Sequence, residues 1–427
     1  MTPVTLFAAA NAESLSDALA QLSRLGLESL LLPVLCQIVV IVIAARVFFV
    51  LFRRLGQPGV IGEIVAGLVL GPSVLGAIWP QAEAYIFQPQ VAGVDPQLFG
   101  AVLRGIFGTL AELGLVFLLF LIGLEFDFRH LRGRGRTAAA ISAAGVALPF
   151  ILGLALAPLL LPRIEPHPEG GPVPPLGLAL FLGTALSITA IPVLGRIMLE
   201  LGIHRSRIGA VTISAAAADD VTGWILLSTV AAIVAGNFAA GSVLARIGMT
   251  LVFALAMIFV ARPLLLRWAS AAMRRGDGDL GLSDLAILLA LVLAAGIATS
   301  LIGIFAVFGA FVTGAVLSSH EEFREAVSHR MRDFMTAFFL PIFFTYTGLR
   351  TEVSSLDSLE MWFLAGAIIA AAVVGKLLGC GLAARLCGFP RREAACIGAL
   401  MNTRGLVELV VVNLGYDMRV IPKSVFC

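Results

Sequence analysis

The sequence predicts an all-α protein that crosses a membrane many times and consists of two inverted halves. The 427 residues are 59% hydrophobic and only 13% charged, whereas soluble domains average about 45–50% apolar and about 25% charged residues. The mean hydropathy is +1.00. Apolar runs of about 20 residues recur along the chain, and each is long enough to cross a hydrocarbon core of about 30 Å. A third observation is that two short motifs recur in the same order in both halves.

The apolar runs predict twelve spans and their orientation. Alternate loops are rich in arginine, with about 17 basic residues on one side against about 7 on the other, so the rich side should be cytoplasmic and the N-terminus outside. Residues 1–29 form a predicted N-terminal segment without the features of a signal peptide. The basic residues are spread over short loops and not gathered into a stripe, so no nucleic-acid partner is predicted. The predicted spans lie at about 30–52, 57–79, 98–126, 137–161, 175–200, 207–235, 244–267, 283–302, 303–319, 333–350, 359–385 and 393–415.

The recurring motifs define an inverted repeat. The sequence GEIVAGLVLG at 62–71 in the second span resembles GAFVTGAVLS at 309–318 in the ninth. The third span ends FLIGLE at 120–125, and the tenth ends FTYTGLR at 344–350. Both matches are offset by seven spans, and an odd offset means opposite insertion, as in many secondary transporters. The repeat also predicts a thirteenth span beyond Cys427, with a cytoplasmic C-terminus.

Two interrupted helices are predicted at equivalent depths. In the fifth span Pro192 has no backbone N–H, and the hydroxyls of Thr184, Ser187 and Thr189 compete for backbone groups, which favours an unwound stretch. An ordinary proline kink is the alternative. The repeat favours the break, and two broken helices in corresponding halves indicate a binding site. The equivalent stretch of the twelfth span is Met401-Asn402-Thr403-Arg404-Gly405, where the arginine would fix a carboxylate or balance a helix dipole.

Two adjacent aspartates, Asp219 and Asp220, lie within the apolar sixth span. Like charges in a low dielectric resist joint ionisation, so such a pair predicts a site for a cation, a proton, or each in turn. Only two of the 29 basic residues are lysines. One of them, Lys376, lies in the eleventh span and is the predicted partner of either aspartate; the alternative is a lysine that reaches the membrane interface.

Further acidic residues in or near spans leave two interpretations open. For Glu63 and Glu125, pairing near a helix end and a role in transport are equally compatible with the sequence. Glu408 would be costly against lipid, by about 2.5–3.5 kcal/mol if it behaves like other charged residues. This cost supports the predicted thirteenth span.

These motifs resemble those of the monovalent cation:proton antiporters, in the branch that contains glutathione-gated potassium efflux systems and plant cation/proton exchangers. The resemblance implies the sodium/proton antiporter fold, with thirteen helices, two crossed broken helices and elevator-type alternating access. It also implies core helices at about 98–235 and 333–415, and dimerisation helices at about 30–79 and 244–319, within a domain of 30–427. It rests on the ordered set 62–72, 123–125, 184–192, 219–227, 309–317, Lys376 and 402–409.

The resemblance also implies roles for single residues. Asp220 would be the carboxylate for the cation and the proton, helped by Thr189 and Ser187, while Asp219 pairs with Lys376. Adjacent aspartates with a core lysine resemble the electrogenic sodium/proton members, whereas potassium-efflux members carry glutamine before a single aspartate. The sequence therefore favours sodium and leaves potassium open.

The predicted function is exchange of a monovalent cation for protons in the cell inner membrane by a homodimer, with no cofactor and no enzymatic activity. The predicted partners are the lipid bilayer, monovalent cations and protons. A cation channel is one alternative, although the sequence contains no recognisable selectivity filter. Others are a sensor or regulatory subunit that keeps the fold without transport, and an organic-anion symporter on a related fold.

Overall fold

A computed structural model describes residues 27–89, 94–125, 135–164, 172–234, 236, 239–276, 278–349, 358–404, 408, 411, 415 and 418–421. These residues form helices and turns, and no strand occurs among them. Nine helical stretches within the described residues are long and apolar enough to cross a membrane. The predicted class, an all-α polytopic membrane protein, is therefore confirmed.

The helices of the described residues are numbered in chain order. The first half contains α1 (Leu27–Arg54), α2 (Gly59–Leu70), α3 (Leu75–Ile78), α4 (Pro80–Phe87), α5 (Pro96–Glu125), α6 (Gly135–Leu160), α7 (Pro175–Ser187), α8 (Ile191–Glu200) and α9 (Arg207–Val234). The second half contains α10 (Ala240–Ala256), α11 (Arg262–Arg275), α12 (Leu282–Ile302), α13 (Ala306–Leu317), α14 (Glu321–Phe334), α15 (Leu340–Leu349), α16 (Leu359–Leu386) and α17 (Arg391–Met401). Five-residue π-helical turns join α10 to α11 and α14 to α15.

Several predicted spans differ from the observed helices. The second ends as a regular helix at Leu70, because Gly71 precedes a proline and is extended, with ψ of −176°. The ninth is a helix of only 12 residues, Ala306–Leu317. The tenth continues a helix that begins at Glu321. Most of the predicted twelfth span after Arg404, the predicted N-terminal segment 1–29 up to residue 26, and Cys427 lie outside the described residues. The count of twelve spans stays a prediction.

The helices group into two compact units. One comprises Met1–Gly114 with Thr336–Ser354, and the other comprises Leu115–Met335 with Ser355–Cys427, in each case so far as the residues are described. In the second unit, Phe181, Leu227 and Val411 belong to a buried apolar cluster. The predicted division into core and dimerisation helices follows other boundaries and stays a prediction.

The first copy of the repeated motif forms a close helix contact within the first unit. An ideal Cβ at Gly67 on α2 would lie 2.1 Å from the carbonyl oxygen of Thr345 on α15. In return, a Cβ at Gly348 would lie 2.2 Å from the carbonyl oxygen of Ile64. Only glycine permits backbones to approach so closely.

The second copy forms the same contact within the second unit. A Cβ at Gly314 on α13 would lie 2.1 Å from the carbonyl oxygen of Phe120 on α5, and one at Gly123 would lie 2.2 Å from that of Phe311. The glycines occupy equivalent positions of the motifs, and α2 and α13 both have 12 residues. Each contact thus joins a helix of one half to a helix of the other, and the two contacts are equivalent in packing as well as in sequence.

Candidate functional site

The two predicted helix breaks meet. In the fifth span α7 ends at Ser187 and α8 begins at Ile191, and in the twelfth α17 ends at Met401. The backbone N–H of Ala190 donates to the carbonyl oxygen of Thr403 at 2.9 Å. The hydroxyl of Thr189 lies 3.0 Å from the carbonyl oxygen of Met401. Backbone groups released by one break are thus satisfied by the other, which buried irregular backbone requires in a membrane.

The residues predicted at the first break occupy different places along it. Thr184 is still helical, and its hydroxyl donates to the carbonyl oxygen of Leu180 at 2.7 Å. Ser187 ends α7, and its hydroxyl donates to the carbonyl oxygen of Thr184 at 2.8 Å. Pro192 is the second residue of α8, where a missing N–H is tolerated. The unwound residues are therefore 188–190, between the serine and the proline.

Arg404 bridges the breaks through its side chain. Its guanidinium donates to the carbonyl oxygens of Ala185 at 3.1 Å and Leu186 at 2.9 Å, in the last turn of α7. It also donates to the carboxylate of Glu408 at 3.0 Å. The sequence suggested two roles for Arg404, pairing with a carboxylate and balancing a helix dipole. It has both, because it pairs with Glu408 and lies at the C-terminal end of α7. Glu408 thus has a cationic partner within the protein.

A buried hydrogen-bond network surrounds Asp219 on α9. The Nζ atom of Lys376 on α16 lies 2.7 Å from Oδ2 of Asp219, and both side chains are fully buried. Thr189 donates to the same oxygen at 2.9 Å, whereas the sequence placed this threonine beside Asp220. Ser142 on α6 also donates to this carboxylate. Ser142 is a residue of this network that was not predicted from the sequence, although a lone hydroxyl in an apolar span is a usable signal.

Asp220 is also buried, at 4% exposure. Its Oδ1 atom has no hydrogen-bond partner in the described part of the chain, and the same holds for Oδ1 of Asn402 and Oγ1 of Thr403. Buried oxygens without partners are costly, so the Asp220 carboxylate has capacity for a proton or a cation, and the amide and hydroxyl oxygens can coordinate a cation. No group of three or more His, Cys, Asp or Glu residues suited to a metal occurs among the described residues. Carboxylate, hydroxyl and carbonyl oxygens are ligands for hard cations.

A glycine allows α16 to bring its lysine to the aspartates. An ideal Cβ at Gly145 on α6 would lie 2.3 Å from Sγ of Cys380, which is one turn after Lys376 on α16. The same Cβ would lie 3.7 Å from Nζ of Lys376. The absence of a side chain at position 145 therefore lets α6 and α16 approach, and it places the ammonium against Asp219.

Glu125 belongs to a separate cluster within the second unit. Its carboxylate, only 4% exposed, pairs with Arg205 at 3.2 Å and with Arg332, and it accepts a hydrogen bond from Ser328 at 2.5 Å. These contacts support the structural interpretation of Glu125. His204 lies nearby in the loop before α9, and burial lowers its pKa below 6.5, while Glu125 acts in the opposite direction.

Known proteins match this chain over most of its length. A family model described as "Sodium/hydrogen exchanger, transmembrane" matches residues 38–426. Cation/H(+) antiporter 18 from Arabidopsis thaliana is 38% identical over 393 residues, which are 91% of this chain and 46% of that protein. Na(+)/H(+) antiporter NhaS4 from Synechocystis sp. is 34% identical over 398 residues, which are 93% of this chain and 92% of that protein. The chain thus spans about half the length of the plant relative.

A solved structure shares the fold. The sodium proton antiporter MjNhaP1 from Methanocaldococcus jannaschii superposes with a TM-score of 0.58 at 15% sequence identity, over 90% of this chain and 85% of that one. The family model covers well over half of the residues, and it includes both helix breaks, the adjacent aspartates and Lys376. The chain therefore belongs to the sodium/hydrogen exchanger family.

Proposed function

We propose that this chain exchanges a monovalent cation, with sodium favoured over potassium, for protons across a membrane by alternating access. One observation carries the proposal: the crossing of two helix breaks lies beside two buried aspartates, of which Asp219 pairs with Lys376 through Oδ2, whereas no ion pair reaches Asp220 from the described residues. The names of the plant and cyanobacterial relatives, a cation/H(+) antiporter and a Na(+)/H(+) antiporter, support it.

The two aspartates have different functions in the proposed cycle. Deprotonated Asp220 holds the dehydrated cation, together with oxygens of the break such as those of Asn402 and Thr403, and a proton displaces the cation. Asp219 stays paired with Lys376 while the cation is bound. A cycle in which Lys376 later releases Asp219 moves two protons per cation, whereas a cycle that keeps the pair moves one. No cofactor or enzymatic step enters the cycle.

Proteoliposomes that contain a pH-sensitive dye test the exchange directly. Sodium, potassium and lithium are added in turn, and cation-dependent proton movement is recorded for the wild type and for Asp220→Asn. We expect the variant to lose this movement because asparagine cannot exchange a proton for a cation. Asp279→Asn is the matched control, since Asp279 is exposed and pairs with Arg330 outside the spans. Wild-type exchange by a correctly folded Asp220→Asn protein would refute the assigned role.

Competition for one carboxylate gives a second test. Proton and cation exclude each other at Asp220, so the cation concentration for half-maximal exchange should rise as the pH falls from about 9 to about 6. A half-saturation concentration that is independent of pH would contradict this mechanism.

We also propose that the protein is a homodimer in the cell inner membrane, with arginine-rich loops in the cytoplasm. A single cysteine introduced at Arg275, in a protein lacking its native cysteines, should react with an impermeant reagent only when the cytoplasmic side is accessible. Labelling of this cysteine from outside would show that the orientation is opposite to the one proposed. The mass of the purified protein after correction for detergent tests the dimer.

A further inference from the structure

The first unit contains a cavity of about 790 Å³. It lies between α1, α4, the beginning of α5 and the end of α15, and it shares no residue with the aspartate site. Cavities of about 300–1,000 Å³ hold small organic molecules, and a few convergent polar groups determine what they bind.

Two buried polar residues of this cavity, Glu83 and Gln37, each have a side-chain oxygen that can accept a hydrogen bond. Glu83 is 9% exposed and Gln37 is 4% exposed. Gln37 donates its amide N–H to the carbonyl oxygen of Ile86 at 2.8 Å, and this bond leaves Oε1 as an acceptor. The carboxylate of Glu83 accepts from the amide of Gln88 at 3.1 and 3.3 Å, and no ion pair reaches it from the residues that the structure describes. A neutral amide compensates a buried carboxylate poorly, so this end of the cavity favours a cation.

Aromatic rings form part of the cavity wall. Phe107 and Tyr346 are stacked, with ring centroids 6.0 Å apart. The hydroxyl of Tyr346 donates to the carbonyl oxygen of Arg104 at 2.9 Å, which holds this ring in place. Aromatic faces attract cations and bury hydrocarbon. Arg104 is an exposed residue, so water and salt screen its charge more than they screen the charge of Glu83.

We propose that this cavity binds a protonated organic amine with an apolar body. The ammonium group takes the place of the Gln88 amide against the carboxylate of Glu83, with Oε1 of Gln37 as a second acceptor. The hydrocarbon body lies along Phe107 and Tyr346. This site is independent of the proposed exchange, because none of its residues belongs to the aspartate network.

Binding of phenylbutylamine by the purified full chain tests this site. Calorimetry compares it with phenylbutanol, which has nearly the same shape and no charge. We expect saturable binding of the amine, with the alcohol at least about tenfold weaker because a charge-assisted hydrogen bond is lost. Glu83→Gln should weaken binding of the amine by about tenfold or more. Glu322→Gln, which alters an exposed carboxylate outside the cavity, should leave binding unchanged.

Equal binding of amine and alcohol, or unchanged amine binding by Glu83→Gln, would overturn the proposal. A second variant keeps the test decisive if Glu83→Gln does not fold. Gly100 lines the cavity, and a Cβ there would meet only the guanidinium at the end of the Arg104 side chain, with Nη1 at 3.2 Å. Gly100→Leu therefore fills the cavity without altering Glu83, and amine binding should be lost. Retained binding would also overturn the proposal.

Discussion

Replacement of Lys376 by methionine measures how strongly the buried ion pair stabilises the fold. Methionine retains most of the stem but lacks the charge, so the change removes the 2.7 Å contact with Asp219 and opens little space. Both side chains are fully buried, and the loss of one partner of such a pair costs roughly 3–5 kcal/mol. Thr189 still donates to the carboxylate at 2.9 Å. We therefore expect the free energy of unfolding to fall by about 3 kcal/mol, at the lower end of this range.

Thermal unfolding of the purified protein in detergent is the assay. Unfolding entropy is about 2.1 cal/mol/K per residue in soluble proteins, or about 0.9 kcal/mol/K for 427 residues. Helices that persist in detergent reduce this entropy, so a loss of about 3 kcal/mol lowers the midpoint by at least about 3 °C. Arg330→Met is the matched control, because it breaks a surface pair with Asp279 whose side chains are 36% and 65% exposed. It should cost less than about 1 kcal/mol.

The double variant Asp219→Asn with Lys376→Gln separates the ion pair from general damage to the core. Neutral groups can hydrogen-bond without leaving a buried charge, so the pair should recover at least about 1 kcal/mol relative to the sum of the single losses. Additive losses in the double variant, or no loss in Lys376→Met, would refute the inference that Asp219 and Lys376 stabilise each other.

Three further predictions follow from individual contacts. Arg404→Ala should lower the free energy of unfolding by roughly 1.5–3 kcal/mol, because charged donors to carbonyl oxygens are lost, and Arg404→Lys should recover part of this loss; a lysine variant with wild-type stability would contradict the inference that the guanidinium must reach both carbonyl oxygens. Gly145→Ala should destabilise the protein through contact with Cys380 Sγ, and Cys380→Ala should relieve this loss in the double variant; if thermal unfolding shows no relief, the contact does not limit the packing. Burial lowers the pKa of His204 below 6.5, so the unfolded chain binds more protons and stability should fall as the pH drops below about 6.5. His204→Gln should flatten that decline in thermal midpoints measured from about pH 7.5 to about pH 5, and an unchanged slope would exclude His204 as its source.

The sequence by itself determined the class of fold and the position of the first helix break. Long apolar runs admit only helices in lipid, because every backbone group must then be satisfied within its own segment. Pro192 and the hydroxyls before it located the break to within a few residues, and the structure leaves 188–190 unwound.

Only the tertiary structure decided which side chains meet at the site. The sequence left Lys376 with either aspartate, and the choice of Asp219 depends on how closely α6 and α16 approach at Gly145. Ser142 and the carbonyl oxygens of α7 join the network across sequence distances that no local pattern measures. Hydropathy specifies which segments cross the membrane, but contacts between segments depend on the rotation and spacing of packed helices, and these are properties of the assembled fold.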